Sequence, residues 1–307
     1  MQADTVIDDA SRLVRDAQAI APAVVHCVFD EATNTASYVV HDPATKQAAI
    51  IDSVLDFDVA AGRISTKSAD VVIDYVKAAG LDVAWLLETH AHADHLSAAP
   101  YLQRALGGVL AIGRGIIEVQ QVFGKIFNAG TDDARDGSEF DRLFDDGDRF
   151  SLGAMAAMAL HVPGHTPADM AYVIGDAVFC GDTLFMPDYG TARADFPGGD
   201  ARGLYRSIRR LLRLPEATRV FLCHDYKAPG REIFAWESTI GAQKSGNVHV
   251  HDGVGEDAFV AMRTARDAGL GMPKLILPAV QVNMRAGHLP EPEANGTRYL
   301  KIPLDRL

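Results

Sequence analysis

The stretch Glu88-Thr89-His90-Ala91-His92-Ala93-Asp94-His95 decides how this chain is read. It closes the apolar run VAWLLET (83–89), which has the length and composition of a buried strand. It precedes SAAPYLQRAL (97–106), which has the spacing of a helix. In extended backbone His90 and His92 project to the same side, and the turn into the helix brings Asp94 and His95 round to a neighbouring point. Imidazoles and a carboxylate crowded in this way are costly without a cation to share.

Working outward, three more donors follow predicted strands: His165 in HVPGHT (161–166), Asp182 in FCGDT (179–183) and His224 in FLCHDY (221–226). Strand ends on one rim of a sheet sandwich converge, so four distant segments can build one site. The flanking pattern supports such a sandwich. VVHCVF (24–29), TASYVV (35–40) and QAAIID (47–52) predict an antiparallel meander, and a helix follows over 65–79 with Gly80 as its stop. MAAMALHV (155–162), AYVIG (171–175) and AVFCGD (177–182) predict further strands, the last two joined by a turn at Gly175-Asp176. A helix over 202–213, a strand over 218–224 and a helix near 255–268 complete the pattern. The tail is otherwise weakly patterned and ends in the Pro-rich NMRAGHLPEPEANG (283–296). The two halves share an order of elements, which predicts two β-sheet layers each covered by helices, an α/β (α+β) fold.

Composition narrows the partners. The 307 residues carry 29 basic and 41 acidic side chains, a net charge of −12, which repels phosphate backbones and anionic headgroups. No nucleic acid and no membrane partner is expected. Hydrophobic residues make up 48% and charged residues 23%, enough to bury a core and to exclude global disorder. The three cysteines, Cys27, Cys180 and Cys223, are too scattered for a metal knuckle and too few for a disulfide framework, so a cytoplasmic location is expected. The first residues mix charges of both signs, unlike a signal peptide. One domain over 1–307, with 228–307 as a C-terminal extension packed on it, is the expectation, and a homodimer is the expected assembly, the commonest among oligomers. The segment 124–148 holds eight acidic residues around Phe127, Phe140, Leu143 and Phe144. It predicts either a lid or oligomer contact, or a surface excursion pinned by its aromatics.

HxHxDH at 90–95, PGHT at 163–166, the Gly-Asp at 181–182 and the strand-end His224 together resemble the metallo-β-lactamase superfamily. That resemblance implies an αββα metallo-β-lactamase sandwich with metal at one edge. It maps one site onto His90, His92 and His165 and a second onto Asp94, His95 and His224, with Asp182 bridging. A narrower resemblance covers almost all of the chain. THAHADHLSAAPYL (89–102), GTARADFPGGDARGLYRSI (190–208), CHDYK (223–227) and VNMRAG (282–287) resemble the glutathione-dependent persulfide dioxygenases. This implies a single Fe(II) held by His90, His165 and Asp182, with His92, Asp94, His95 and His224 left uncoordinated. It also implies oxidation of glutathione persulfide by O2 to sulfite and glutathione. A two-His, one-carboxylate face leaves about three open positions on iron, enough for a thiolate-type substrate and dioxygen together. The same donors permit an alternative, a dinuclear Zn2+ hydroxyacylglutathione thioester hydrolase resembling glyoxalase II.

Arg193, Tyr226, Lys227 and Arg285 are candidates to hold the two carboxylates of a glutathione moiety. Asp225 and Asp169 are candidates to orient ligand imidazoles, with capping or surface roles as the alternative. Some dioxygenases of this group carry cysteine near the positions of Ala194 and Ala286, and its absence here implies a small-molecule persulfide as direct substrate. Strand alternation turns Cys223 away from His224, which predicts a packing role for it and for Cys180.

Overall fold

The computed structural model describes residues 2–129 and 135–306. Val24–Asp30, Thr35–His41 and Gln47–Ile51 pair antiparallel as the meander that the three β-rich runs predict. The sheet then changes sense: Asp82–Leu87 lies parallel to Gln47–Ile51, Val109–Gly113 is parallel to it in turn, and Arg142–Phe144 closes the edge. Parallel neighbours need crossovers. Lys67–Ala78 supplies the first, burying Ala69, Val72, Ile73 and Val76 on one stripe as the helical spacing predicts. Ala99–Leu106 and Ile116–Ile126 supply the next two.

The second sheet runs in the order Arg149–Leu152, Met155–His161, Met170–Ile174, Ala177–Phe179, Arg219–Phe221, Glu237–Thr239. Its pairings make Met155–His161, Ala177–Phe179 and Arg219–Phe221 point the same way, so their C-terminal ends share one edge. Tyr38, Ala49, Ile51 and Leu87 of the first sheet pack on Ala159, Tyr172 and Phe179 of the second. Four helices cover the outer face of the first sheet through side chains such as Val72, Leu102, Val119 and Val280. Gln2–Gln18, Ala201–Leu211 and Glu256–Asp267 cover the second through Ile7, Leu204 and Phe259. Helix, sheet, sheet, helix is the αββα sandwich.

Among the described residues, four helices lie outside the sequence expectation: Gln2–Gln18, Ile116–Ile126, Ile240–Gly246 and Ile276–Asn283. Gln2–Gln18 buries Ile7, Ala10, Ser11 and Val14, a regular helical stripe. Ile276–Asn283 falls in the weakly patterned tail, yet all of it except Leu277 is buried. A helix apolar on nearly every side has no periodicity to detect. Within 124–148, Phe127, Phe140 and Phe144 are buried and Arg142–Phe144 is an edge strand, while residues 130–134 lie outside the described residues. Among the described residues, no helix is long and apolar enough to cross a membrane.

The C-terminal segment also carries the largest fully buried side chain, Arg263. Its Nε and Nη2 donate to Asp267 Oδ1 at 2.9 and 2.6 Å, and Nη1 donates to the Thr191 carbonyl at 3.1 Å. Arg263→Ala strands a buried carboxylate, so chemical denaturation should show a loss of roughly 3–5 kcal/mol.

Candidate metal centre

The strand Asp82–Leu87 delivers the histidine loop to the shared edge, where Asp52 grips it. Asp52 Oδ1 accepts the Thr89 N–H at 2.7 Å and Oδ2 accepts the Thr89 hydroxyl at 2.8 Å. On the opposite side the Met170 N–H donates to the Thr89 carbonyl at 2.8 Å, which ties the loop to the second sheet. Asp182 arrives on a turn through Gly181, whose φ is +52° and whose missing Cβ would lie 2.6 Å from Thr89 Oγ1. Only glycine allows that approach. His224 follows the strand Arg219–Phe221 and bridges to Thr35.

All seven predicted donors meet. His90 and His92 have ring centroids 4.1 Å apart, His90 and His165 5.2 Å, His92 and His95 4.2 Å. Asp182 Oδ2 lies 3.5 Å from His165 Nε2 and 3.9 Å from His90 Nε2, while Oδ1 lies 3.3 Å from His224 Nε2. Asp94 Oδ2 stands 3.2 Å from the same His224 nitrogen.

The outward nitrogens set the tautomers. The Nδ1 atoms of His165, His224 and His95 face the carbonyls of Arg193, Asn34 and Leu96 at 2.8, 3.2 and 3.2 Å. A carbonyl can only accept, so each Nδ1 carries the proton and each Nε2 presents a lone pair inward. His90 Nδ1 faces the Thr89 hydroxyl at 3.0 Å, which itself donates to Asp52. His92 is reversed: its Nε2 sits 3.0 Å from Asp52 and 3.4 Å from Glu88, leaving Nδ1 inward.

Burial, reinforced by neighbouring imidazoles, drives His90 well below its ordinary pKa and His95 to about 3, so both are neutral donors. At His92 burial opposes charging, but the Asp52 and Glu88 carboxylates outweigh it and raise the pKa. Six inward atoms have no hydrogen-bond partner: the Nε2 atoms of His90, His95 and His224, His92 Nδ1, Asp94 Oδ2 and Asp182 Oδ1. Buried polar atoms are rarely left so. Lone pairs and carboxylate oxygens converging without a donor between them fit a metal ion, and His90, His165 and Asp182 form one compact set of three.

The chain matches the metallo-beta-lactamase superfamily over residues 31–224, the span that holds every one of these donors. It belongs to that superfamily.

Relatives within the superfamily carry different names. A probable metallo-hydrolase of Burkholderia pseudomallei is 61% identical over 91% of this chain and 98% of its own length. Glyoxylase B2 of Dictyostelium discoideum is 48% identical over 91% and 97%. The human mitochondrial persulfide dioxygenase ETHE1 is 28% identical over 87% and 90%. The crystal structure of ETHE1 from Myxococcus xanthus superposes with a TM-score of 0.68 at 29% identity, covering 86% of this chain and 100% of that one.

Of the four substrate candidates, two reach the superfamily site. Arg193 and Tyr226 line a cleft of about 510 Å³ together with Asp94, His165 and Asp182. Lys227 lies elsewhere, its Nζ 4.4 Å from the centre of the Phe234 ring. Arg285 donates to the Gln281 carbonyl at 2.8 Å and borders a separate hollow with Gln120 and Met284. Asp225 and Asp169 do not touch the imidazoles. Asp225 pairs with both terminal nitrogens of Arg231 at 2.6 and 2.7 Å, and Asp169 caps Thr166. Cys223 corrects the packing expectation. The strand stops at Phe221, alternation does not extend to 223, and the Sγ atom lies among His92, His95, Asp182 and His224. Cys180 is buried as expected.

Asp52, Glu88 and Asn283 hold the histidine loop, and the sequence reading missed them. Asp52 was legible as a carboxylate ending a buried strand, and Glu88 stands inside the quoted stretch. Asn283 comes from the tail: Nδ2 donates to the His92 and His95 carbonyls at 2.8 Å each, and Oδ1 accepts the Ser97 N–H at 2.8 Å. Asn283→Ala should weaken metal binding roughly 10–100-fold in chelator competition, the range for residues that orient ligands.

Proposed function

We propose that this chain is a mononuclear iron persulfide dioxygenase that converts glutathione persulfide, O2 and water to glutathione, sulfite and two protons. The observation that carries this reading is the grouping of His90, His165 and Asp182, with His165 and Asp182 bordering an open cleft. Similarity to the human persulfide dioxygenase over 87% of the chain supports it. Fe(II) held by these three residues supplies a redox-active centre with one face free for a thiolate and dioxygen.

The chain's own groups then sort the substrate. The Arg193 carbonyl keeps His165 in its donor tautomer, while the Arg193 side chain faces the cleft and is steadied by Asp195 and the Gly271 carbonyl. Arg266 and Lys274 stand on the same cleft wall, so the mouth is basic although the chain is acidic overall. A tripeptide with two carboxylates suits that mouth. Phe185, Tyr189 and Tyr226 pack against one another beside His224, Phe185 edge-on to both tyrosines, and give the cleft an apolar wall that limits water near the reacting sulfur.

A dinuclear thioester hydrolase is the second reading, favoured by the presence of every second-site donor and by the names of the probable metallo-hydrolase and glyoxylase B2 relatives. Metal analysis of anaerobically purified protein, with oxygen uptake on glutathione persulfide and a thioester control, separates the two. Iron at one per chain with persulfide-dependent oxygen uptake is expected. Two metals, no oxygen uptake and thioester cleavage would assign the chain to the hydrolases. His165→Ala should lose both iron and turnover. Arg193→Ala should raise KM about tenfold with kcat little changed, the size of one lost charge-assisted hydrogen bond.

A further inference from the structure

We propose that Cys223, His92 and His95 form a second, thiophilic metal site, distinct in its donor set from the superfamily pair of sites. The three ligand atoms lie within 4.8 Å of one another and all three residues are buried. Both histidines carry an orphan nitrogen: His92 Nδ1 and His95 Nε2 are buried without a partner.

Iron at His90, His165 and Asp182 leaves those two nitrogens unsatisfied. It does not leave His224 in the same position. Its Nε2 has Asp94 Oδ2 at 3.2 Å and Asp182 Oδ1 at 3.3 Å, so carboxylates already face it. His92 instead turns Nε2 to its carboxylates, Asp52 at 3.0 Å and Glu88 at 3.4 Å, on the far side of the ring. His95 turns Nδ1 to the Leu96 carbonyl. Each therefore has one buried ring nitrogen without a partner, and the Cys223 sulfur lies beside both residues.

Two imidazole nitrogens and a thiolate are a borderline-soft set that favours Zn2+ or Cu+ over the harder cations. The site is also held from outside. Asn283 fixes the carbonyls of both His92 and His95, and the Cys223 carbonyl accepts the Ala36 N–H at 2.8 Å. A cation there would lie within the buried core of the loop rather than at the cleft, which gives it a structural role beside a catalytic neighbour.

Co2+ titrated into the metal-stripped full-length chain tests this directly and without reference to which reaction the protein catalyses. Cobalt on His90, His165 and Asp182 has no sulfur ligand, so a near-ultraviolet thiolate-to-cobalt charge-transfer band reports Cys223 alone. We expect a second equivalent of cobalt to bring in that band, Cys223→Ser to abolish it while visible cobalt bands remain, and Cys180→Ala to retain it. Binding of two equivalents without the band, binding of one equivalent only, or a band that survives Cys223→Ser overturns the proposal. Alkylation of the unmodified chain followed by mass spectrometry needs no variant to fold. Protection of Cys223 by the second equivalent supports the site, and equal labelling with and without metal overturns it. Failure of the dioxygenase reading shows instead as absent oxygen uptake, a separate measurement.

Discussion

Converging buried lone pairs are the constraint on which the rest of this structure depends. Five imidazoles and two carboxylates meet at one edge, and six of their inward atoms have no partner within the protein. Each unsatisfied buried group costs roughly 1–3 kcal/mol. Six of them rival the whole net stability of a domain, about 5–15 kcal/mol. A chain that folds with this arrangement intact needs a cation to complete it, so metal binding and the stability of this edge are one free-energy term.

The remainder of the architecture holds those lone pairs in place. Four imidazoles are pinned by Nδ1 and His92 by Nε2, and the pinning groups lie on loops and strand ends. Asp52 follows a strand of the first sheet, Asn34 lies between its first two strands, and Arg193 lies between the Ala177–Phe179 and Arg219–Phe221 strands of the second. The tail reaches the centre twice. Asn283 clamps the loop at 92–97, while the Arg263–Asp267 pair holds the Thr191 carbonyl and the Ala194 N–H, fixing the backbone whose Arg193 carbonyl sets His165. Residues beyond the last ligand are therefore part of the device that shapes the first set. This explains in physical terms why the sequence resemblance continues through VNMRAG after the metal motifs end.

How much of this was legible in the sequence follows from the range of each interaction. Donors at 90–95, 165, 182 and 224 were readable because metal chemistry demands particular residue types and strand ends supply them. The meander, the helix at Lys67–Ala78 and the turn at Gly175 were readable because their signals are local. Ile276–Asn283 was hidden because a helix buried all round looks like any apolar run. Asn283 was hidden because its partners lie about 190 positions away, with nothing local to mark the pairing. Cys223 was misjudged by extending strand alternation two residues past Phe221, where the backbone has already turned toward the site. Arg285 and Lys227 share a motif with functional neighbours but sit on other surfaces, since sharing a motif does not fix side-chain direction.

The same geometry frames the choice between one metal and two. A dinuclear hydrolase needs His92 in its first site and Asp94 and His224 in its second. Here His224 Nε2 faces Asp94 and Asp182 at 3.2 and 3.3 Å, and His165 Nε2 faces the other oxygen of Asp182 at 3.5 Å, so Asp182 stands between the two groups of donors. His165 and Asp182 also border the cleft, so an ion held by His90, His165 and Asp182 would have an open face.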